Sequence, residues 1–367
     1  MKTVLLYNPD LKKYGFGPEH PFRGDRFAQF FDFFNSKFGR FHRPFEVIKP
    51  HQANDAMLEL VHTREYIKAI QSASRGQASP DISRYISADN LEPSTGCIPR
   101  GIEEGARIIV GTSVLAGQLC VRKSAKKIIG IGGGMHHAKP QYGEGFCFYN
   151  DIAICVKSLI DKYNLKRVLV LDTDAHPGNG TKEIFFRDRE VLFIDIHQDP
   201  RTIYPGNGFI SEIGGGNAEG FTVNLCLMPG ASNSSYKYLF EDVIFPLANE
   251  FQPQLIIRYG GSDPHYLDEL TKLGLTIEGF RMIGRQVNRL AESLTEGRSV
   301  DLLLSGYNLA VLPFAWSALI CGLLDLDMDL SGLKEEPPMP PDYRLEDARD
   351  MVKQLKKLLK NHWQCMN

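Results

Sequence analysis

The sequence predicts an α/β fold, a single domain in which a mostly parallel central sheet is flanked by helices on both faces. Two observations predict it. Short apolar runs rich in β-branched residues recur along the chain, as they do in parallel strands that are buried on both faces. The segments between them carry apolar residues at three- and four-residue spacing, which is typical of amphipathic helices.

The predicted elements follow one another in a regular alternation. The first strand is the N-terminal run MKTVLL, whose apolar stretch is too short for a secretory signal. The other predicted strands are Lys127 to Ile131, Arg167 to Leu171, Val191 to Ile196, Phe221 to Leu227, Leu255 to Tyr259 and Val300 to Leu304. The predicted helices between them include Asp151 to Tyr163, Tyr236 to Phe251 and Ile277 to Leu294.

The domain boundary is predicted near the C-terminus. Residues 1–333 contain no Ser/Gly tract and no charge block, so they are expected to form one domain. A Pro-rich hinge, KEEPPMPPDY, occupies 334–343. Residues 344–367 are expected to form a C-terminal helix, from about Leu345 to Trp363, that packs on the domain; packing on a partner is the alternative.

Composition narrows the class of partner. The formal net charge is −2 and no long run of Lys or Arg occurs, so direct nucleic-acid binding is not expected. The longest apolar run, around Phe314 to Leu324, is too short to cross a bilayer, so no membrane association is expected either. Seven cysteines without a C-x-x-C pair favour a reducing cytoplasm. An oligomer is left open.

Polar clusters follow five of the predicted strands. They are GGGMHH (132–137), DTDAHPGNG (172–180), DIHQDP (195–200), GGSDPH (260–265) and SGYN (305–308). The carboxyl ends of parallel strands open on one side of a sheet, where ligands bind. The five clusters are therefore expected to converge.

Within the second cluster, Asp172, Asp174 and His176 alternate, so their side chains would project the same way if the strand continued. Together with Asp263 from another strand, they suit a divalent metal ion that keeps positions open for water and substrate. Capping and turn roles are the alternative for such a short motif.

Two adjacent histidines and a tyrosine add acid–base chemistry. His136 and His137 lie in a Gly-rich loop, and each needs its own hydrogen-bond partner. Asp172 and Asn179 are the candidate partners, because a carboxylate raises imidazole basicity and an amide fixes the tautomer. Tyr307 could donate a hydrogen bond to an oxyanion. A paired loop motif without catalysis, and a packed aromatic ring, are the respective alternatives.

In order and separation, these clusters resemble the histone deacetylase superfamily, which includes the acetoin-utilisation proteins and the acetylpolyamine amidohydrolases. Three further segments extend the resemblance over most of residues 1–325: YGFGPEHPFRGDR (14–26), VHTREYI (61–67) and GFCFYNDIAI (145–154). The resemblance implies an arginase/deacetylase fold and hydrolysis of an acylated amine by a metal-activated water.

The resemblance also implies a role for individual residues. Zinc, or iron(II), would be held by Asp174, His176 and Asp263. His136 and His137 would be the general acid/base pair, with Asp172 and Asn179 behind them. Tyr307 would polarise the acyl carbonyl. A structural potassium ion would be bound by carbonyls near Asp172, Asp174 and His176.

For the substrate, the resemblance implies a narrow tunnel with Phe146 and Tyr204 as walls and Gly145 along it. Asp89 matches a rim residue that binds the substrate backbone. Leu270 stands where polyamine-specific relatives place an acidic residue, although Glu269 is its neighbour. An acylated lysine in a peptide or protein is therefore favoured over a small acylamine such as an acetylpolyamine.

Four residues depart from the family pattern, namely Pro177, Ser262, Leu304 and Ser305. The changes at 304 and 305 are expected to stiffen the loop that carries Tyr307. A catalytically weak or silent relative that binds metal or acyl-lysine is therefore an alternative. A nucleotide-binding module, suggested by GIGGG at 130–134, is not favoured because the glycine spacing differs from G-x-G-x-x-G.

Overall fold

The computed structural model describes residues 2–38, 44–77, 81–337 and 342–367, and its centre is an eight-stranded sheet. The strands are β1 Thr3–Leu6, β2 Glu46–Ile48, β3 Lys127–Ile131, β4 Val168–Asp172, β5 Val191–Gln198, β6 Thr222–Leu227, β7 Leu255–Gly260 and β8 Ser299–Leu303. Their order is β2-β1-β3-β8-β7-β4-β5-β6, and each neighbouring pair is parallel. The predicted α/β class with a mostly parallel sheet is confirmed.

The central strands are buried on both faces. Every residue of β3, β4, β7 and β8 is buried, which requires layers on both sides of the sheet and explains their near-continuous apolar sequences. The ends of the predicted strands from 127 onward agree with the structure to within two residues. Strand β2 was not predicted, because it is a three-residue, partly exposed strand at the edge of the sheet.

The helices fill the connections between the strands. They are α1 Arg26–Phe38, α2 Asp55–Leu58, α3 Arg64–Ser74, α4 Ile102–Val121, α5 Asp151–Tyr163, α6 Asn179–Phe185, α7 Asn233–Leu239, α8 Phe245–Phe251, α9 Ile277–Leu294, α10 Leu312–Leu324 and α11 Leu345–Leu359. The predicted bounds of α5 and α9 are confirmed. The predicted helix from Tyr236 to Phe251 instead consists of α7, a π-helical turn at Phe240–Ile244, and α8. The π turn ends two residues before Pro246, which has no N–H to donate to the preceding turn.

The order of the strands sets the position of the functional loops. Strands β3, β8, β7 and β4 are consecutive neighbours in the sheet, although they are distant in sequence. Because they are parallel, the loops that leave their carboxyl ends lie side by side at one edge. These loops contain the histidine pair, the Asp172–Asn179 cluster, Asp263 and Tyr307.

The C-terminal segment lies against the domain. Helix α11 contacts α7 and β6, and it ends at Leu359 rather than at the predicted Trp363. Beyond it, the indole N–H of Trp363 donates to the carbonyl of Gly220 at 2.7 Å. Its ring packs against Phe221 and Phe251. The predicted hinge at 334–343 lies partly outside the described residues, which omit 338–341. No helix within the described ranges has the length and apolar character needed to cross a membrane.

Replacing Trp363 by Ala should lower the free energy of unfolding by about 3–5 kcal/mol, because a buried indole is lost and the carbonyl of Gly220 loses its donor. Denaturant unfolding would measure the change. Leu358→Ala, on an exposed position of the same segment, is the control and should change stability by at most about 0.5 kcal/mol. Equal stabilities of the two variants would show that the C-terminal segment does not dock on the domain.

Candidate active site

Asp174, His176 and Asp263 form one compact and buried cluster. Nδ1 of His176 lies 3.1 Å from Oδ1 of Asp174 and 3.2 Å from Oδ2 of Asp263. One ligand atom from each residue lies within 4.8 Å of the other two. Two carboxylate oxygens and one imidazole nitrogen suit zinc or a similar divalent ion, and three protein ligands leave coordination positions open. The residues present therefore fit the implied metal.

Local turns, not a continuing strand, bring these ligands together. Strand β4 ends at Asp172, and the chain bends through the following residues. Oδ1 of Asp172 accepts from the N–H of Asp174 at 2.9 Å, and Oδ1 of Asp174 accepts from the N–H of His176 at 2.8 Å. Such side-chain-to-backbone bonds define Asx turns. The strand therefore does not continue through Asp174 and His176, which was the condition for the predicted projection of the three side chains to one side.

Asp263 is held by the loops on both of its sides. Its Oδ2 accepts from the N–H of Ala175 at 2.9 Å, and its Oδ1 accepts from the hydroxyl of Ser305 at 2.6 Å. The carboxylate is thus oriented from the β4 loop and from the β8 loop at once. The free rotation that an isolated aspartate would have is removed before any ligand binds.

The electrostatics of the cluster favour a bound cation. Burial, together with the negative charge of Asp174, raises the pKa of Asp263 to about 7. Burial alone would lower the pKa of His176, but its contacts with Asp174 and Asp263 raise this pKa to about 10. Both Asp263 and His176 therefore hold protons more tightly than usual, which means that the pocket favours added positive charge. A divalent ion would supply that charge in place of protons.

The two adjacent histidines have different partners. Nδ1 of His136 lies 2.7 Å from Oδ2 of Asp172, and Nδ1 of His137 lies 2.7 Å from Oδ1 of Asn179. Their Nε2 atoms are 3.1 Å apart. All four side chains are buried. The structure thus brings each histidine to the partner named from the sequence.

The partners separate the protonation states of the pair. Burial lowers the pKa of His136, but the charges of Asp172 and Asp174 outweigh it and raise this pKa to about 9. Burial lowers the pKa of His137 well below its usual value, and the positive charge of His136 lowers it further. At neutral pH, His136 is therefore the charged member and His137 the neutral one, a division typical of acid/base pairs.

Three aromatic rings surround the approach to the cluster. The ring of Tyr307 lies 5.9 Å from that of Phe146 and 6.2 Å from that of His176. The ring of Tyr204 lies 5.3 Å from that of His137. Burial and the charges of Asp174 and Asp263 raise the pKa of Tyr307 well above its usual value, so its phenol keeps the proton that it would donate.

The loop of Tyr307 rests on two charged residues that were not predicted as part of the site. The carboxylate of Asp268 accepts from the N–H of Tyr307 at 2.7 Å. The guanidinium of Arg26 donates to the carbonyl of Gly306 at 2.7 Å and lies 5.5 Å from the Tyr307 ring. The available signals in the sequence were an arginine at the start of a segment rich in phenylalanine and a carboxylate five residues after Asp263.

The remaining predicted residues divide into two groups. Asp89 lies beside Gly145: its Oδ2 accepts from the N–H of Gly145 at 3.0 Å, and its Oδ1 accepts from the hydroxyl of Ser87. Both of its oxygens are thus engaged within the protein. Leu270 is exposed, and its backbone N–H donates to the carboxylate of Asp268 at 3.0 Å.

The four departures from the family pattern are buried around the cluster. Ser305 orients Asp263, as described above. Ser262 lies against Gly306, because a Cβ added at Gly306 would collide with Oγ of Ser262. Pro177 packs near Gly208, and Leu304 near Gly134. Three of the four therefore act on packing, and only Ser305 contacts a candidate ligand through its side chain.

The fold and the site define a parallel α/β protein with a candidate metal centre at the carboxyl ends of its strands. The sequence model of the histone deacetylase domain matches residues 20–323. The chain belongs to the histone deacetylase family, so the resemblance predicted from its motifs is confirmed.

Individual relatives agree with this assignment. The chain is 32% identical over 375 residues to a probable deacetylase of Archaeoglobus fulgidus, with 100% of this chain and 99% of that protein aligned. It is 34% identical over 325 residues to the acetoin utilization protein AcuC of Staphylococcus aureus, with 88% and 82% aligned. The crystal structure of the HDA15 HD domain matches with a TM-score of 0.83 and 24% identity, covering 100% of this chain and 98% of that one, which supports the fold. These relatives support a deacetylase, which is a hydrolase.

Gly145→Ala should displace the imidazole of His137. Gly145 has φ +59°, and an added Cβ would lie 2.2 Å from Cδ2 of His137. Gly216, with φ +63° and no atom within 4 Å of an added Cβ, is the matched control for the backbone cost alone. Gly145→Ala should therefore lower the free energy of unfolding by about 1–3 kcal/mol more than Gly216→Ala does in denaturant titrations. Equal losses would show that the ring is free to move away.

Proposed function

We propose that the protein is a metal-dependent deacylase that hydrolyses the amide of an acylated lysine side chain or of a related acylamine. The observation that carries the proposal is the buried Asp174, His176 and Asp263 cluster lying next to the His136–His137 pair. Membership of the family supports the reaction class, and the contacts below support a role for each residue.

The proposed cofactor is zinc, with iron(II) as the second candidate, held by Asp174, His176 and Asp263. A bound divalent ion supplies Lewis-acid activation of the acyl carbonyl and of a water molecule. A structural potassium ion near the backbone carbonyls of Asp172, Asp174 and His176 belongs to the same proposal. The buried carboxylate of Asp195, whose pKa is raised to about 7 by burial and by the charge of Asp172, adds negative charge that such an ion would balance.

His137 is the proposed general base. It is neutral, its Nδ1 is turned to Asn179, and its Nε2 faces the pocket beside His136. It would accept the proton of the attacking water and then deliver it to the departing amine nitrogen. His136, held in its charged form by Asp172, would stabilise the negative charge that develops during attack.

Tyr307 is the proposed hydrogen-bond donor to the acyl oxygen. Its raised pKa keeps the hydroxyl protonated, and its position beside His176 places it at the cluster. A donor of this kind acts mainly on the transition state, because the charge on the oxygen grows as the carbonyl is attacked. Asp268 and Arg26 fix its loop from opposite ends of the peptide unit.

The aromatic approach favours a slender, apolar chain such as an acylated lysine side chain. Phe146, Tyr204 and Tyr307 offer ring surfaces, and Gly145 lies so close to the His137 ring that no Cβ would fit between them. Leu270 is exposed and apolar where a polycationic substrate would need a carboxylate. We therefore favour acyl-lysine in a peptide or protein over an acetylpolyamine.

The proposed setting is a reducing compartment such as the cytoplasm, since all seven cysteines are free thiols in the structure. No role in direct nucleic-acid binding is proposed. The second candidate function is that of a silent relative, which binds metal or acyl-lysine without turnover. The departures from the family pattern at Leu304 and Ser305, in the loop of Tyr307, are the observation that favours it.

Purified protein should contain about one transition-metal ion per chain and should release the acyl group from an acyl-lysine peptide. Asp174→Ala should remove both metal and activity, because an imidazole and one carboxylate are too few ligands. Elemental analysis and a panel of acyl-lysine and acylpolyamine substrates would measure this. Asp188→Ala, which breaks an ion pair with Lys157, is the control and should keep both properties. Metal without turnover on the whole panel would instead favour the silent relative.

Tyr307→Phe should lower kcat about 100- to 1000-fold while the bound metal is retained, because only the donor to the acyl oxygen is lost. Steady-state kinetics and elemental analysis on the same sample would separate the two effects. Tyr238→Phe, which removes a hydroxyl bonded to Asp242, is a matched control and should leave kcat unchanged. A Tyr307→Phe enzyme with the kcat of the unmodified protein would exclude the assigned role.

A further inference from the structure

Glu144 lies behind Asn179, on the side away from His137. Its Oε1 accepts from the amide nitrogen of Asn179 at 2.6 Å. The same oxygen lies 2.9 Å from Nζ of Lys139. A continuous series of polar contacts thus runs from Lys139, which is partly exposed, through Glu144 and Asn179 to the buried imidazole of His137.

The carboxylate determines which way the amide of Asn179 faces. An ionised carboxylate only accepts hydrogen bonds, and Oε1 of Glu144 lies between two nitrogen donors, Nδ2 of Asn179 and Nζ of Lys139. The NH2 group of Asn179 must therefore face Glu144, which leaves the amide oxygen facing His137. Asn179 is 3% exposed, so water does not offer the amide an alternative partner.

The amide orientation in turn determines the tautomer of His137. The amide oxygen, 2.7 Å from Nδ1, accepts a hydrogen bond and so requires the proton to be on Nδ1. Nε2 then carries the lone pair, on the side where it faces Nε2 of His136 at 3.1 Å. If the amide were reversed, its NH2 group would face Nδ1 and the proton would move to Nε2, where His137 could no longer accept one.

We propose that Glu144 is a positioning residue, which acts through Asn179 to keep His137 in the tautomer whose lone pair is on Nε2, where the charged His136 can donate to it until the proton of the water is accepted. This proposal rests on the proposed function for its kinetic consequence, but its structural consequence does not depend on turnover. Neither the motifs nor the charge pattern of the sequence indicated a role for Glu144.

The backbone around Glu144 is built to hold its side chain in place. Its carbonyl accepts from the N–H of Cys147 at 3.0 Å, which closes a turn over Gly145 and Phe146. The N–H of Gly145 is bound by Asp89 and that of Phe146 by Asn90. The turn that lines the approach with Phe146 therefore also sets the position of Glu144 beside Asn179.

Two substitutions separate positioning from a plain ion pair with Lys139. Glu144→Ala removes the acceptor for Asn179, whereas Glu144→Gln keeps one oxygen that can accept the same hydrogen bond. Glu190→Ala is the matched control, because it breaks an ion pair with Lys166 at 2.8 Å that has no contact with Asn179. Circular dichroism melting and metal content would be measured for every variant.

The primary measurement is the 15N spectrum of histidine-labelled protein, in which the shifts of Nδ1 and Nε2 distinguish the two tautomers, with His137 assigned by its replacement with Phe. The unmodified protein, Glu144→Gln and Glu190→Ala should show His137 protonated on Nδ1. Glu144→Ala should show the Nε2–H form. Its kcat should fall about tenfold with KM within about twofold, as expected for the loss of one hydrogen bond that orients the base.

An unchanged tautomer in Glu144→Ala would overturn the proposal, as would a loss of kcat that only follows a lower melting temperature or a lower metal content. Failure of the proposed function has a different signature. In that case the unmodified protein would turn over no acyl-lysine, while the tautomer change in Glu144→Ala would still be seen.

Discussion

The carboxylates of Asp174 and Asp263 lie close together in a buried pocket. The neighbouring groups of the site offset the unfavourable free energy of keeping these two carboxylates ionised there. Burial favours the neutral acid in both residues, and the charge of Asp174 further raises the pKa of Asp263, whereas the charges of His136 and His176 hold the pKa of Asp174 well below its usual value. Backbone N–H groups and the Ser305 hydroxyl compensate in part, but they carry no net charge. His176 is the one ligand that can bring a positive charge, and it does so only while protonated. A buried site with ionised carboxylates is stabilised by a cation, so the contacts that hold these carboxylates rigid would also favour the proposed metal ion.

This cluster can form only because three loops approach one another very closely. The ends of β4, β7 and β8 are neighbours in the sheet, but the peptide units above them must also meet. A Cβ at Gly261 would lie 1.9 Å from the carbonyl oxygen of Ser305, so no larger residue permits this approach. Ser305 then contacts Asp263 with its side chain and accepts from Trp316 with its carbonyl. The loop that carries Tyr307 is thus anchored to the candidate ligand on one side and to α10 on the other. The stiffening expected from Leu304 and Ser305 stays a prediction, and the contacts of Ser305 are those through which it would act.

The sequence predicted what depends on patterns within a strand or helix and missed what depends on contacts between them. The central strands were predictable because burial on both faces requires continuous apolar residues, whereas the short edge strand β2 lacks that requirement. The convergence of the polar clusters followed from the parallel sheet, whereas the choice of Asp174, His176 and Asp263 as the ligand set came from the resemblance to the family. The turn after Asp172 followed from neither, because it is formed by side-chain hydrogen bonds to the backbone that alternation along a strand does not reveal. The supporting role of Asp268 depends on a contact across 39 residues of sequence.

The same reasoning explains why the two histidines are adjacent but not equivalent. One is backed by a carboxylate, Asp172, and the other by a neutral amide, Asn179. A carboxylate stabilises the imidazolium, and an amide oxygen only orients the neutral ring. With Nε2 atoms 3.1 Å apart, a charge on His136 also makes a second charge on His137 unfavourable. Because one partner is a carboxylate and the other an amide, His136 is held in its charged form and His137 in its neutral form. The pair thus offers one neutral, oriented imidazole beside one positively charged imidazole, which suits the acid and base roles proposed for them.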